Sequence, residues 1–291
     1  MKKAFFIIFI LILAAFAVFC SFWRGEKIDF LRTSQSPAAE VSVSPTPSSV
    51  KNVLPFQKPA EDEVFKFPVF NYHHIRPMPS VASSTINERA FIVSPEMLEE
   101  HIKYFLDNDY KIVPVSDLIK YYDTGAPLPK KAVALSFDDG YLEHYQNAFP
   151  ILKKYNVKAT FFIPTGWVSS AEHLGNLTWP EIQEMSRAGM EFGSHAVFHS
   201  NLTKLSDEAL KKELEESKKI LEEKIGRPCD ILSYPGGNYD ERVIEAVKIA
   251  GYQGAGTVYK IIEQAPKYRF TIRRFHADDN MESVAGKLIG Y

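Results

Sequence analysis

From residue 67 to the C-terminus, short apolar segments of strand character alternate with longer segments of helical periodicity. This alternation is typical of parallel sheets, in which a helix returns the chain to the start of the next strand. We therefore predict an α/β fold, a distorted (β/α) barrel of about seven or eight strands. The strand segments are 68–72, 111–115, 132–137, 159–163, 190–193, 230–234, 253–257 and 269–275. The helix segments are 95–108, 116–123, 141–155, 179–188, 206–225, 240–250 and 281–289.

The N-terminal residues differ in character from the rest of the chain. Lys2 and Lys3 precede an apolar run over 4–23, which at about 1.5 Å per residue is long enough to cross a hydrocarbon core of about 30 Å. We expect an uncleaved membrane anchor over 1–24, with the lysine end in the cytoplasm and the rest of the chain outside. The alternative is a cleaved signal segment, which would leave the protein secreted. Lipidation at Cys20 is less favoured, because the bulky Phe19 precedes it.

Residues 25–66 are rich in Ser, Pro, Ala and Val, and we interpret them as a disordered linker before a folded domain over 67–291. The formal net charge is −2, from 34 basic and 36 acidic residues, so no global field favours nucleic acid. The chain has two cysteines, which excludes a disulfide framework and a cysteine-based metal site. We expect a monomer stabilised by its packed core.

Four polar clusters each follow a predicted strand, at the end where a parallel barrel carries its functional groups. They are the pair Asp138-Asp139, the pair His195 and His199, the loop 235–237 with Gly236 at its centre, and the segment Tyr72-His73-His74-Ile75. Taken singly, each also fits an ordinary turn, a loop, a strand end or a surface histidine pair. Their shared position after strands is what indicates one site.

The chemistry of these clusters is complementary. Two adjacent carboxylates repel each other unless they share a proton or meet a cation. Two imidazoles and one carboxylate provide three ligands and leave coordination positions open, as in catalytic zinc sites. The other carboxylate then stays ionised beside the cation as a base, and the glycine-rich loop offers N–H groups to an oxyanion. The sequence therefore predicts metal-assisted hydrolysis, with a histidine that protonates the leaving group.

The motifs LSFDDG, SHAVFH and SYPGG resemble the signatures of the polysaccharide deacetylases, carbohydrate esterases whose catalytic unit is called the NodB homology domain. The resemblance covers roughly residues 67–275. It implies a hydrolase that removes N-acetyl groups from N-acetylglucosamine residues of a cell-wall or exported polysaccharide. It also implies Asp138 as the catalytic base and Asp139, His195 and His199 as ligands of one divalent ion. Zn²⁺ is the chemical favourite, and Co²⁺, Ni²⁺ or Mn²⁺ would fit the same ligands.

Two positions depart from the family pattern. Ala196 stands where a Ser or Thr usually follows the first metal histidine, so a supporting hydrogen bond is lost. Ser233 and Tyr234 stand where many members carry an arginine that orients the base, and Arg273 and Arg274 are the candidates to replace it.

The early sequence NYHHI resembles the Tyr-His-x-Ile motif of the branch that acts on poly-N-acetylglucosamine. In that branch the acid histidine comes from the first strand, so the resemblance favours His73 as general acid over His276, which lies in the last strand region. If the strand pleat continues past Tyr72, His74 points the other way.

Aromatic residues near these loops are candidates for stacking on sugar rings, namely Tyr141, Trp167, Tyr234 and Tyr239. Trp179 is better explained as a packed residue at a capped helix start. Two other functions stay open. A glycoside hydrolase also uses two carboxylates, but it needs them about 5–9.5 Å apart across the scissile bond. An inactive carbohydrate-binding barrel would explain the two departures.

Overall fold

The structure is a computed structural model, and it describes residues 56–169, 174–289 and 291. The predicted anchor over 1–24 and the linker up to residue 55 lie outside the described residues. Within the described part of the chain, no helix has both the length and the apolar character needed to cross a bilayer.

The strands of the described residues are β1 Phe65–Lys66, β2 Val69–Tyr72, β3 His74–Ile75, β4 Ile92–Val93, β5 Lys111–Ile112, β6 Ala132–Phe137, β7 Thr160–Ile163, β8 Glu191–Ser194, β9 Ile231–Ser233, β10 Gly254–Val258, β11 Glu263–Gln264 and β12 Ile272–His276. Seven parallel strands close into a barrel within the described residues, in the order β2-β12-β10-β9-β8-β7-β6, and a pairing of β6 with β2 completes the ring. Strand β5 pairs with the first residues of β6 beside this ring. The predicted parallel barrel is therefore confirmed.

Six of the eight helices in the described residues begin at polar caps. The side chain of Ser94 accepts a hydrogen bond from Met97 N, and Thr178 forms a capping box with Glu181, as the sequence predicts for this helix start. The helices are α1 Ile86–Arg89, α2 Pro95–Asp107, α3 Ser116–Thr124, α4 Phe149–Lys154, α5 Trp179–Arg187, α6 Asp207–Ile225, α7 Glu241–Ile249 and α8 Met281–Gly286.

Three segments differ from the sequence predictions. The helix expected over 141–155 is a π-helical turn, His144–Ala148, followed by α4, and Pro150 removes one backbone donor at this junction. The strand expected over 269–275 begins only at Ile272, after a 3₁₀ segment Pro266–Thr271. Strand β1 pairs with β11 and lies inside the predicted linker, so the folded region begins before residue 67.

The barrel interior changes from apolar to polar along the strands. Alternate residues of β6 pack toward the helices, as Val133, Leu135 and Phe137 do, whereas Ala132 and Ala134 fill the interior. Because side chains alternate with period two, the interior series ends in functional groups at the carboxyl end of each strand. Three such series are Val69-Asn71-His73 from β2, Ala134-Ser136-Asp138 from β6 and Ile272-Arg274-His276 on β12.

Candidate metal centre and active site

Asp138 is enclosed by donors from three strands. The Arg274 guanidinium binds it in a bidentate manner, with Nη1 2.8 Å from Oδ1 and Nη2 2.9 Å from Oδ2. Asn71 Nδ2 and Ser233 Oγ donate to Oδ2 at 3.2 and 3.1 Å. Arg274 is 0% exposed and Asp138 is 3% exposed. The network is therefore buried and joins the carboxylate after β6 to β2, β9 and β12.

Arg274 takes the place of the arginine that the loop before Pro235 lacks. Of the two candidates named from the sequence, Arg274 contacts Asp138, whereas Arg273 lies over the Tyr268 ring, 3.6 Å from its centroid. Burial acts to raise the pKa of Asp138, but the Arg274 guanidinium and then the nearby histidines outweigh it and hold the pKa well below its usual range. The carboxylate is therefore ionised, as a general base must be.

Asp139 meets the two histidines of the second motif. Its Oδ1 lies 3.4 Å from His195 Nε2 and 3.3 Å from His199 Nε2. One ligand atom from each of the three residues falls within 4.8 Å of the others. Burial acts to raise the pKa of Asp139, but its interactions with His195 outweigh it and lower the pKa to about 2. The predicted set of three candidate ligands is thus brought together.

These three residues fit a divalent cation. His195 Nδ1 donates to the carbonyl oxygen of Ser233 at 2.7 Å, because that oxygen can only accept. When the ring is neutral, this tautomer leaves the Nε2 lone pair on the side of Asp139, where a cation could bind it. Asp139 Oδ1 is buried and has no hydrogen-bond partner among the described residues. Two imidazole nitrogens and one carboxylate oxygen form the donor set of an open catalytic zinc site. A cation there would satisfy the orphaned oxygen.

The backbone around this trio is strained. Asp139, Ala196 and His199 have φ angles of 73°, 62° and 57°, in the left-handed region that side chains other than glycine rarely adopt. Ala196 is fully buried, and its N–H donates to Ser194 Oγ at 3.1 Å. Position 196 therefore lacks the usual Ser or Thr hydroxyl, but the Ser194 hydroxyl, two residues earlier, supports the same turn.

His73 and His276 both reach the cavity from adjacent strands. Their ring centroids are 4.9 Å apart, and the ring of Phe91 contacts each at 5.0 Å. Burial lowers the pKa of His73 to about 4, against the opposing charges of Asp138 and Asp139. His73 Nδ1 is buried without a hydrogen-bond partner in the described chain. Both acid candidates from the sequence are thus in place, and His73 is the more buried.

The prediction that His74 points away from the site is wrong. The pleat is broken at His73, which separates β2 from β3, so both histidines line the cavity. The His74 ring stacks on Tyr141 with centroids 3.9 Å apart, and its Nδ1 lies 2.6 Å from Glu143 Oε1. Burial and then the nearby Asp139 carboxylate raise the pKa of the Tyr141 hydroxyl. Tyr141 therefore lies beside a candidate metal ligand, and the ring face that stacks on His74 is not free to stack on a sugar.

A cavity of about 580 Å³ joins these groups. Its lining among the described residues includes both aspartates, five histidines (His73, His74, His195, His199 and His276), Tyr141, Tyr234, Gly236 and Gly237. Gly236 has a φ of 63° and lies in the 3₁₀ turn Pro235–Gly237, where the chain approaches the cavity. The Tyr234 hydroxyl donates to Phe270 O at 2.9 Å, so only the rest of this residue faces the site.

Two predicted sugar-stacking residues are absent from this lining. The Trp167 ring lies beside His199, with centroids 5.4 Å apart. The Tyr239 ring stacks on Tyr234 at 5.3 Å and packs against the core. The Trp179 ring is likewise partly buried against the core, as the sequence indicates. Phe91 and Arg76 line the cavity instead, from a segment whose short elements β3, α1 and β4 carry no strong periodic signal.

Known proteins are similar to this chain in sequence and in fold. Residues 125–255 match the family model described as polysaccharide deacetylase. YxkH of Bacillus subtilis, which is named for the same family, is 29% identical over 229 residues, covering 79% of this chain and 76% of YxkH. The poly-β-1,6-N-acetyl-D-glucosamine N-deacetylase of Staphylococcus aureus is 28% identical over 239 residues, covering 76% of this chain and 82% of that protein.

A solved structure extends the match to the fold. The Streptococcus pyogenes deacetylase PplD, in complex with acetate, aligns with a TM-score of 0.71 at 26% identity, over 78% of this chain and 99% of that chain. A closed parallel barrel with an aspartate pair and histidines at its carboxyl end is the arrangement of an enzyme active site. More narrowly, the chain resembles the polysaccharide deacetylases, in the family-model match over residues 125–255 and in its similarity to YxkH and PplD over most of the chain.

Proposed function

We propose that this protein is a metal-dependent N-deacetylase that removes N-acetyl groups from N-acetylglucosamine residues of a cell-wall or exported polysaccharide. The observation that carries the proposal is the separation of the two aspartates. Asp138 is paired with Arg274, whereas Asp139 faces two histidines and keeps an unpartnered oxygen. The S. aureus relative, whose name gives poly-β-1,6-N-acetylglucosamine as substrate, supports the choice of polymer.

The division of work follows from this geometry. Asp139, His195 and His199 would hold the cation, which supplies Lewis-acid activation of water and of the acetyl carbonyl when bound. Asp138 accepts the proton of the attacking water, and Arg274 keeps this base oriented and ionised. His73 would donate a proton to the leaving amine from its protonated form, which a pKa of about 4 makes the minor form at neutral pH, and His276 beside it is the alternative donor. The turn at Gly236 borders the space where the oxyanion forms.

The location of the enzyme belongs to the same proposal. The apolar run over 4–23 would anchor the chain in a membrane with the barrel outside the cytoplasm, or would be cleaved to release it. An exported polymer would then be within reach of the barrel.

Acetate release tests the proposed function. The full chain would be incubated with β-1,6-linked N-acetylglucosamine oligomers, chitin oligomers and peptidoglycan, each with added Zn²⁺ and with EDTA. We expect acetate from at least one polymer, lost with EDTA and restored by Zn²⁺. Acetate that persists in EDTA would contradict the metal, and shorter oligomers without acetate would indicate a glycoside hydrolase. Binding without either product would indicate the inactive barrel.

A further inference from the structure

We propose that His144 is a positioning residue, which fixes the backbone of His73 through one hydrogen bond and thereby aims the His73 imidazole at the leaving amine. This inference rests on the proposed function, in which His73 is the acid. His144 Nε2 lies 2.6 Å from the carbonyl oxygen of His73. A carbonyl oxygen can only accept, so His144 Nε2 carries a proton and donates the hydrogen bond.

The break in the pleat at His73 explains why a side chain is needed at this point. His73 lies between β2 and β3 and belongs to neither strand. No backbone N–H of the described residues donates to its carbonyl oxygen. In a continuous strand, the ladder of backbone hydrogen bonds would fix this peptide group. The His144 side chain therefore replaces the ladder at the residue that carries the acid.

The π-helical turn His144–Ala148 and the residue before it contact the whole segment 73–75. Besides the bond from His144, Asn147 Nδ2 donates to Ile75 O at 2.7 Å, and Glu143 Oε1 lies 2.6 Å from the side chain of residue 74. Single π-helical turns are rare and occur frequently at functional sites. Because this turn follows the aspartate pair closely in the sequence, one short segment bears the base, a candidate metal ligand and the groups that hold the acid.

The environment of His144 favours a role in positioning over one in stability. The residue is 0% exposed, and its ring lies beside Phe137 and Phe161, with centroids 5.4 and 5.7 Å away. Its Nδ1 is buried and has no hydrogen-bond partner within the described part of the chain. A buried acceptor without a donor costs stability, so its presence calls for a functional reason. Burial also lowers the pKa of His144, which keeps the ring neutral at neutral pH.

Two substrates separate the positioning of an acid from general damage to the protein. The full chain with Zn²⁺ would be assayed on a β-1,6-linked N-acetylglucosamine pentamer, whose amine must be protonated to leave, and on 4-nitrophenyl acetate, whose nitrophenolate leaves without a proton. His144→Leu should lower kcat on the pentamer about 10²-fold, with KM unchanged, and kcat on the aryl ester less than about threefold. His144→Gln retains an N–H donor and should recover most of the loss on the pentamer.

His101→Leu is the matched control. His101 is also a histidine with 0% exposure, but its Nδ1 lies 3.1 Å from the Tyr72 hydroxyl and does not contact the peptide of His73. It should leave the ratio of the two rates unchanged. Asn147→Ala, which removes the bond to Ile75 O, should lower the ratio a few-fold and serves as the test if His144→Leu does not fold.

An unchanged ratio in His144→Leu, or in Asn147→Ala where it replaces that variant, would overturn the inference. A ratio in His144→Gln as low as in His144→Leu would do the same, since the donor would then have no role.

Nitrogen-15 spectra of the histidine rings keep this inference apart from the proposed function. The His73 ring signal, identified by its absence in His73→Gln, should shift in His144→Leu and stay in place in His101→Leu. If no oligomer releases acetate but the shift is seen, the positioning of His73 stands and the proposed function fails. An unmoved His73 signal in His144→Leu would overturn the inference whatever the acetate assay gives.

Discussion

The two adjacent aspartates lie in opposite environments within one cavity. On the Asp138 side, a buried guanidinium, an amide and a hydroxyl satisfy the carboxylate without any added ion. On the Asp139 side, two imidazoles face an oxygen that no described donor satisfies, and the backbone of Asp139 and His199 adopts positive φ. The Asp138 network is complete and the Asp139 network is not. A cation would complete the Asp139 side, and Asp138 would stay available as a base.

The largest effect is expected from Asp138→Asn, which leaves the Asp139 side intact and removes the base. Acetate release should fall roughly 10²–10⁴-fold, the usual contribution of a general base. Ser233→Ala is the matched control, because it removes one hydrogen bond to the same carboxylate and should cost far less activity. Steady-state kinetics on a fixed oligomer measure both. Full activity in Asp138→Asn would mean that another group acts as the base.

Arg274→Met should destabilise the protein, because it disrupts the hydrogen-bond network around Asp138. The Asp138 carboxylate stays buried without the Arg274 guanidinium, at a cost of roughly 3–5 kcal/mol in the free energy of unfolding at neutral pH. Arg273→Met on the same strand should cost roughly 1 kcal/mol or less, since that guanidinium lies over an aromatic ring. Urea unfolding curves compare the two, and equal losses would mean that the pair with Asp138 has no special weight.

The same pair predicts a pH dependence with a defined sign. The folded pKa of Asp138 is depressed, so its stabilisation is present above the unfolded value of about 3.9 and is lost as pH falls through the folded pKa. In Arg274→Met, Asp138 keeps its burial, which disfavours the charged form, and loses the guanidinium that most strongly opposes it. The stability difference between wild type and variant should therefore shrink in acid. A difference that grows below pH 4 would contradict this.

Tyr141→Phe should weaken cation binding at Asp139, although Tyr141 is not itself a candidate ligand. The hydroxyl group near the Asp139 carboxylate is lost, and loss of a group that supports a metal ligand typically weakens metal affinity by roughly 10–100-fold. Tyr145→Phe is the matched control, because the Tyr145 hydroxyl bonds Glu184 at 2.7 Å away from the site. Zn²⁺ competition with a chromophoric chelator measures the affinities. Equal affinity in the two variants would remove Tyr141 from the metal site.

The smallest effect concerns the strain between the two histidines. Ala196→Gly should relieve the positive φ of 62° and raise the free energy of unfolding by about 1 kcal/mol. Ala134→Gly is the matched control in β6, where no such strain exists, and it should lower stability by roughly 0.5–1 kcal/mol. Thermal unfolding distinguishes the two signs. A loss of stability in Ala196→Gly would mean that the buried methyl group outweighs the strain.

The sequence predicts this fold and site unevenly, for physical reasons. The barrel and the convergence of Asp138, Asp139, His195 and His199 follow from strand periodicity, because each motif comes directly after a strand and parallel strands end on one face. The contact of Asp138 with Arg274 depends on ring closure between β6, β2 and β12, and no local pattern specifies that register. Two arginines are adjacent in the sequence, and the closed ring is what selects the second of them as the partner of Asp138.

The other failures are local. His74 turns into the cavity because the pleat breaks after Tyr72, a change that alternation of side chains cannot reveal. Tyr239 lies outside the cavity because its ring stacks on Tyr234. Strands β3 and β4 contain two residues each, which is too short for a periodic pattern to predict them.

The metal content of three proteins tests the central claim most directly. Wild type, Asp138→Asn and Asp139→Asn would be loaded with Zn²⁺, separated from free metal by gel filtration and measured by mass spectrometry. The different roles of the two carboxylates predict about one ion per chain in wild type and in Asp138→Asn, and well below one in Asp139→Asn. Loss of the ion in Asp138→Asn with retention in Asp139→Asn would contradict this division of roles.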